Sequence, residues 1–210
     1  MKAATTSIAS DTRLELISRR VVLKGLRPIM FDRYAGDNDT KLSWTEKIYL
    51  KPGTNVLCLP STNINSFYTA HNTPSAPKRL RDKRKYKDIC NAIQSFCLIS
   101  AVDGSEYIPF TRNSETITVG TFGESRDEES RLELHRSVAR LDKGIPNPKE
   151  RPLLPLDWEL EFRLSIVPNN AIKEAEIRNL TIEGGLAIGL GTYRGQFGKF
   201  VVDAWEPFDE

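Results

Sequence analysis

The most regular pattern in the chain runs from Trp158 to Val167, where Leu160, Phe162, Leu164 and Ile166 alternate with Glu159, Glu161, Arg163 and Ser165. A period of two marks a strand with one face on the core and one on water, so a half-buried strand is predicted there. The same pattern predicts a long or bent strand from Arg13 to Leu26, closed by Gly25, and another from Leu132 to Leu141. Shorter strands are predicted at Lys47–Leu50, Glu115–Phe122 and Lys199–Trp205. Phe96–Val102 and Ser105–Phe110 flank Asp103-Gly104, a pair that supplies the positive φ values of a type I′ turn, and read as a hairpin. Helical spacing appears at Ile64, Phe67 and Tyr68, giving a helix over Thr62–Ala70 with Ser61 as N-cap. It appears again at Ile89, Ile93 and Phe96, and in a short helix over Ala171–Leu180. Three stretches read as loops: the polar run Ala35–Thr40, the charge-dense Gly123–Arg131, and Lys143–Pro155, whose four prolines and one glycine break regular structure.

The order strand, helix, hairpin, strand, short helix, glycine-rich loop, strand is that of an α+β domain of the ferredoxin-like or RRM-like kind carrying large insertions. At 210 residues and 23.7 kDa the chain suits one domain. Residues 32–60 and 70–90 read as insertions or loops, and 111–155 as an irregular insertion.

Composition removes several classes of function. No apolar run is long enough to cross a bilayer, and Met1–Arg13 lacks the apolar core of a signal peptide, so a cytoplasmic protein without a membrane partner is expected. Cys58, Cys90 and Cys97 are odd in number and lack C-x-x-C spacing, which argues for buried thiols over a disulfide framework or zinc site. With only His71 and His135, a histidine metal site is poorly supplied. Asp37, Asp39 and Lys41 fail the calcium-loop pattern, because a lysine stands where an oxygen ligand is needed. Neither a phosphate-binding P-loop nor a dinucleotide fingerprint is present, since Arg194 occupies the position of the third glycine after Gly189 and Gly191. No cofactor and no metal are therefore expected.

The net charge of +2 does not announce a polyanion binder, so charge distribution decides. From Lys78 to Asp88, seven basic residues (Lys78, Arg79, Arg81, Lys83, Arg84, Lys85 and Lys87) stand against two acidic ones, a net +5. The alternatives are a phosphate-tracking surface and a solvated helix face. Six of the thirteen glycines lie between Gly184 and Phe200, interleaved with Tyr193, Arg194, Phe197 and Lys199. Such a segment can offer backbone N–H groups to phosphate and aromatic faces to bases. It can equally be a glycine-rich hairpin whose Phe197 and Phe200 pack in the core.

Glu183-Gly184-Gly185 through Gly198-Lys199-Phe200, preceded by the Trp158–Val167 strand and a short helix, resembles the C-terminal glycine-rich signature of the RAMP superfamily, the Cas-seven-like backbone proteins of CRISPR effector complexes. Val22–Met30 looks like the strand-and-loop opening of members that also occur in phages and mobile elements. The resemblance implies a modified RRM fold, an oligomer, filament or subunit of a larger ribonucleoprotein, and single-stranded RNA or DNA lying along a basic groove. It would place backbone contact at Gly189, Gly191, Gly195 and Gly198, and charge or stacking at Tyr193, Arg194 and Lys199. A thumb sequence and the two RRM aromatic motifs are not identifiable, so base-specific recognition does not follow. Some relatives cut RNA with an aspartate after the first strand, where this chain has Asp32, Asp37 and Asp39. Loop aspartates are ordinarily solvated, and a non-enzymatic binding protein is expected. The alternative is a structural or assembly protein of a phage or mobile element that self-associates without nucleic acid.

Overall fold

The computed structural model describes residues 15–37, 39–140 and 146–208. The polar start Met1–Arg13 and the segment 141–145, over which the third predicted strand ends and the proline-rich stretch begins, lie outside them.

The hydrophobic alternation at Trp158–Val167 forms the central strand of the large sheet. Among the described residues ten strands and four helices follow in order: β1 (Ile17–Gly25), β2 (Ile29–Met30), β3 (Cys58–Pro60), α1 (Ser61–Thr69), α2 (Ala76–Leu80), α3 (Tyr86–Phe96), β4 (Cys97–Ala101), β5 (Tyr107–Arg112), β6 (Glu115–Thr116), β7 (Glu133–Arg140), β8 (Pro146–Leu154), β9 (Glu159–Ile166), α4 (Glu174–Ala187) and β10 (Phe200–Pro207). One edge of β9 pairs with β1, from Ile17 opposite Ile166 to Lys24 opposite Glu159, and β1 pairs outward with β10. The other edge takes β4 and β5, giving the order β10-β1-β9-β4/β5. Last, first, third, second is the ferredoxin-like order, with α1–α3 and α4 as the two helical crossovers.

The register places Leu160, Phe162, Leu164 and Ile166 on one face with Val21 and Leu23, all at most 2% exposed. On that face Ile64, Phe67 and Tyr68 of α1, Ile93 of α3, and Ile177 and Leu180 of α4 close the core. Each buried side chain of this size contributes about 1.5–3 kcal/mol. The Tyr68 hydroxyl shares a hydrogen bond with Thr181 Oγ1 at 2.7 Å, so its polar tip is satisfied inside the core. All three cysteines are buried free thiols, and burial pushes Cys58 and Cys97 up to about 12.

Several local expectations change. The Asp103-Gly104 turn does not make a hairpin: β4 pairs with Phe162–Ile166 and β5 with Glu159–Leu160, both antiparallel to β9 on the same edge. The chain loops out and resumes in the same direction, because the rest of β5 is held by β3, Cys58 opposite Pro109. Ser61 is the first helical residue of α1 rather than its side-chain cap, and its N–H donates to the Glu106 carbonyl at 2.8 Å. Lys47–Leu50 is not a strand; Trp44–Lys47 forms a 3₁₀ turn, and only Leu50 bridges to Leu57. In Glu115–Phe122 only the first two residues pair as a strand. The charged loop Gly123–Arg131 encloses Asp127, fully buried, whose carboxylate accepts N–H bonds from Gly120 and Ser130.

The proline-rich segment is a strand, β8, in a second sheet ordered β2-β8-β7. The Pro152 carbonyl accepts from Phe31 N–H at 3.0 Å, so residue 152 turns its backbone polar groups away from β7. Pro146 and Pro148 share its parity, so their missing N–H groups fall on the side away from β7 and the β7 ladder loses nothing.

α4 continues seven residues beyond the predicted short helix, through Gly184 and Gly185. These glycines sit where α4 lies against the core. A Cβ on Gly184 would stand 2.5 Å from Phe67 Cζ, and one on Gly185 2.6 Å from the Phe200 carbonyl oxygen. Close packing outweighs the roughly 1 kcal/mol helix penalty of each glycine.

Candidate nucleic-acid interface

The basic run folds into α2, a turn and the start of α3. Its cations separate by environment. Arg81 is committed to the fold, with Nε 2.6 Å from Glu176 and Nη1 2.8 Å from Glu183, both on α4. Those two carboxylates raise its pKa. The Lys78 ammonium donates to the His71 carbonyl at 2.5 Å. Arg79, Lys83, Arg84, Lys85 and Lys87 are exposed, and none has a carboxylate partner among the described residues. Asp82 accepts the Arg84 N–H at 2.7 Å and fixes the turn that carries three of these five cations.

The glycine-rich segment after α4 is a compact loop docked on the β1–β2 connection. Gly198 N–H donates to the Pro28 carbonyl at 2.8 Å, Thr192 N–H to Met30 at 2.9 Å, and Leu26 N–H to Lys199 at 2.7 Å. Gly189, Gly191, Gly195 and Gly198 all have positive φ. At three of them a side chain would strike the chain itself: Gly189 against the Gly198 carbonyl, Gly198 against Leu190, and Gly191 against the Met30 carbonyl. Gly189 and Gly195 also donate their N–H groups internally, to Gly184 and Ile188. The N–H groups of Gly189, Gly195 and Gly198 are thus already used within the chain, and of these glycines only Gly195 faces open space. Of the two phenylalanines in the hairpin alternative, Phe200 is in the core and Phe197 is half-buried, edge-on to His135 of β7 at 5.4 Å.

Two side chains of this loop carry chemistry. Tyr193 adopts φ 53°, rare for a residue with a Cβ, and is 41% exposed. The Arg151 guanidinium lies over its ring, 5.0 Å from the centroid. Arg194 turns the other way and holds the α1–α2 connection, with Nη1 2.8 Å from the Pro74 carbonyl and Nη2 2.7 Å from Ser66 Oγ. Burial lowers its pKa. The connection that Arg194 grips also receives Lys78 at His71, so the loop and the basic run, 110 residues apart in sequence, meet across residues 70–75.

Arg151 and His135 escaped the sequence reading because both project from the small sheet, half of which read as irregular. Arg151 is buried, and its Nε binds Asp32 at 2.7 Å, while Lys47 Nζ stands 3.8 Å from the same carboxylate. Arg151 Nη1 is buried without a hydrogen-bond partner. Asp37 closes its own turn, accepting from Asp39 N–H, Thr40 N–H and the Thr40 hydroxyl. Among the described residues no group of three or more His, Cys, Asp or Glu is arranged to hold a metal ion.

Among the described residues the outward face of the large sheet is lined by ion pairs and a cation over a ring. Arg20 pairs with Glu161 and Glu206, and Lys24 with Asp203 and Glu159. Arg163 covers the ring of Phe208 at 4.7 Å. Arg20 and Lys24 on this face are thus matched by carboxylates, whereas the exposed cations of the α2–α3 segment are not, among the described residues.

No protein-family model matches the sequence, and no curated protein matches it. Among the described residues no helix is long and apolar enough to cross a membrane. The fold does recur: the chain superposes on one chain of a solved structure, the Type III-B Cmr-beta bound to cognate target RNA, with TM-score 0.57 and 11% identity. The match covers 92% of this chain and 61% of that one. The architecture is the modified ferredoxin-like, RAMP-like α+β fold that the sequence resemblance implied.

Proposed function

We propose that this protein binds single-stranded nucleic acid, RNA in the first place, without sequence specificity and without cutting it, as one subunit of a homo-oligomer or larger ribonucleoprotein. The observation that carries the reading is the junction at residues 70–75, where Lys78 of the basic run and Arg194 of the glycine-rich loop both bind; Arg79, Lys83, Arg84, Lys85 and Lys87 of that run are exposed and lack carboxylate partners among the described residues. Unpaired surface cations gather phosphates by releasing their counterions, and an exposed aromatic adds base stacking that every base can use. The RNA bound in the Cmr-beta structure favours RNA over DNA. Asp32, the residue placed to follow the first strand, is held by Arg151 and Lys47, two cations that a divalent metal would have to displace.

The test is the nucleic-acid content and elution volume of freshly purified protein at low and high salt, followed by incubation of a labelled oligoribonucleotide with magnesium. Salt-removable RNA and an uncut probe are expected. Protein that is free of nucleic acid at every salt concentration and shifts no added single strand refutes the proposal. The assembly-protein alternative draws on one observation, the exposed Leu98 (62%) and Val102 (47%) beside the outward face. It requires concentration-dependent association that ignores nucleic acid.

A further inference from the structure

Where β5 ends beside the turn that enters β9, the topology gathers two half-buried arginines that belong neither to the basic run nor to the glycine-rich loop. Thr111 pairs with Glu159, which sets Arg112 against Leu156-Asp157, and the loop after Gly120 brings Arg131 to the same turn. Arg112 Nε donates to the Asp157 carbonyl at 3.3 Å and Nη2 to the Ser130 carbonyl at 3.2 Å, while Arg131 Nη2 donates to the Leu156 carbonyl at 3.3 Å. The two guanidiniums thus hang side by side from carbonyls of consecutive residues. Each of these bonds is at or beyond the long end of the N–H···O range, and each acceptor is uncharged. Among the described residues neither arginine has a carboxylate within ion-pair distance, Asp157 and the cross-strand Glu115 included. Of the five N–H groups on a guanidinium, Arg112 commits two and Arg131 one, so most of the donors are unused. Burial, then the charge of Arg131, lowers the Arg112 pKa, and Asp157 opposes them only in part.

The backbone holds this arrangement against its own preference. Arg131 has φ 62°, a left-handed conformation that a long side chain seldom takes. Its neighbours fix it there. Ser130 and Leu132 are fully buried, the Asp127 carboxylate accepts the Ser130 N–H at 2.8 Å and the Ser130 hydroxyl, and Leu132 N–H donates to Ser130 Oγ at 3.2 Å. A strained residue clamped by a buried polar network, presenting one unpaired charge beside another, destabilises the fold. Strain of this kind collects at ligand sites.

We infer that Arg112 and Arg131 form a binding site for one phosphate group, either free inorganic phosphate or the phosphate of a small monoester. A planar guanidinium fork matches phosphate oxygens bidentately, and a dianion cancels both charges at once. The site does not depend on the strand-binding reading, whose cations lie at Lys78–Lys87.

Calorimetric titration of the purified protein with inorganic phosphate, at an ionic strength held constant with chloride, reads the site directly. One saturable phosphate per chain is expected. Arg131→Asn removes one guanidinium and keeps a residue that accepts left-handed backbone, and it should weaken phosphate binding about 10-fold or more, the loss of one charge-assisted contact. Without phosphate and at low salt the same variant should melt no lower than wild type, because it sheds both repulsion and strain. A guanidinium with a structural role would make it melt lower. Arg112→Gln should lose phosphate affinity in the same way. Titration with adenosine monophosphate separates the two sources: binding tighter than that of inorganic phosphate, and lost in the same variants, assigns a monoester, while weaker binding assigns the free ion. The inference is overturned if wild type takes up no phosphate saturably, if folded Arg131→Asn binds it as wild type does, or if that variant is less stable than wild type in the absence of phosphate. None of these outcomes bears on the α2–α3 surface, which is read with an oligoribonucleotide.

Discussion

Neutralising the turn between α2 and α3 by Lys83→Gln, Arg84→Gln and Lys85→Gln separates a binding surface from a solvated one. Five exposed cations of this segment lack carboxylate partners. If each neutralises one phosphate of a single strand, the surface contributes about 3.5 to the slope of log affinity against log salt, at about 0.7 per contact. Raising salt from about 50 to about 200 mM would then weaken binding roughly 130-fold through this surface alone. Removing three of the five leaves a slope of about 1.4, and the same change of salt would cost only roughly sevenfold. The substituted side chains are exposed and outside the core, and the Asp82 contact that shapes the turn uses the Arg84 backbone N–H, which the substitution keeps. Stability should stay within about 0.5 kcal/mol of wild type. Fluorescence anisotropy of a labelled oligoribonucleotide across a salt series measures the slope, and thermal unfolding supplies the control. A triple variant that binds as tightly and with as steep a salt dependence as wild type would refute the reasoning.

Two further outcomes follow from the core. Gly184→Ala gains about 1 kcal/mol of helix propensity but sets a methyl 2.5 Å from Phe67 Cζ and 2.9 Å from Ala76 Cβ; overpacking costs typically about 1–3 kcal/mol, so urea unfolding should show net destabilisation. Glu174 ties the start of α4 to two strands, taking Arg19 Nε at 2.6 Å and Trp205 Nε1 at 2.8 Å, and the Arg19 bond first, then Trp205, holds its carboxyl below the usual carboxylate range. A carboxyl whose folded pKa is depressed stabilises the fold above its ordinary value and loses that contribution as pH falls through the folded value. Wild type should therefore lose melting temperature more steeply than Glu174→Gln as pH drops below about 4.5, and the two curves should converge in acid.

The framework of the fold was legible wherever one physical pattern ruled a segment without competition. Strict alternation in Glu159–Ile166 and helical spacing at Ile64, Phe67 and Tyr68 survive because burial on a single face decides both. The failures have a common cause, tertiary contacts that no local window contains. The Asp103-Gly104 turn has hairpin chemistry, but β9 and β3 compete for the strand that follows it. The prolines of β8 break a strand in general, and are harmless here because their parity turns the missing N–H groups away from the β7 ladder. Gly184 and Gly185 read as loop residues because propensity cannot see Phe67 and Phe200. In the candidate interface, composition alone singled out the basic run, Tyr193 and Arg194. It could not tell that Arg81 is consumed by two glutamates from α4, nor that Arg151 would come to lie beneath Tyr193.

The prolines of β8 have a consequence for how copies of this protein can associate. Beyond its short pairing with β2, the side of β8 away from β7 has no donor at Pro146 or Pro148, so a neighbour could not lay a continuous ladder there. Strand addition between copies is thereby confined, among the described residues, to sheet edges that do carry donors, such as β7 and β10.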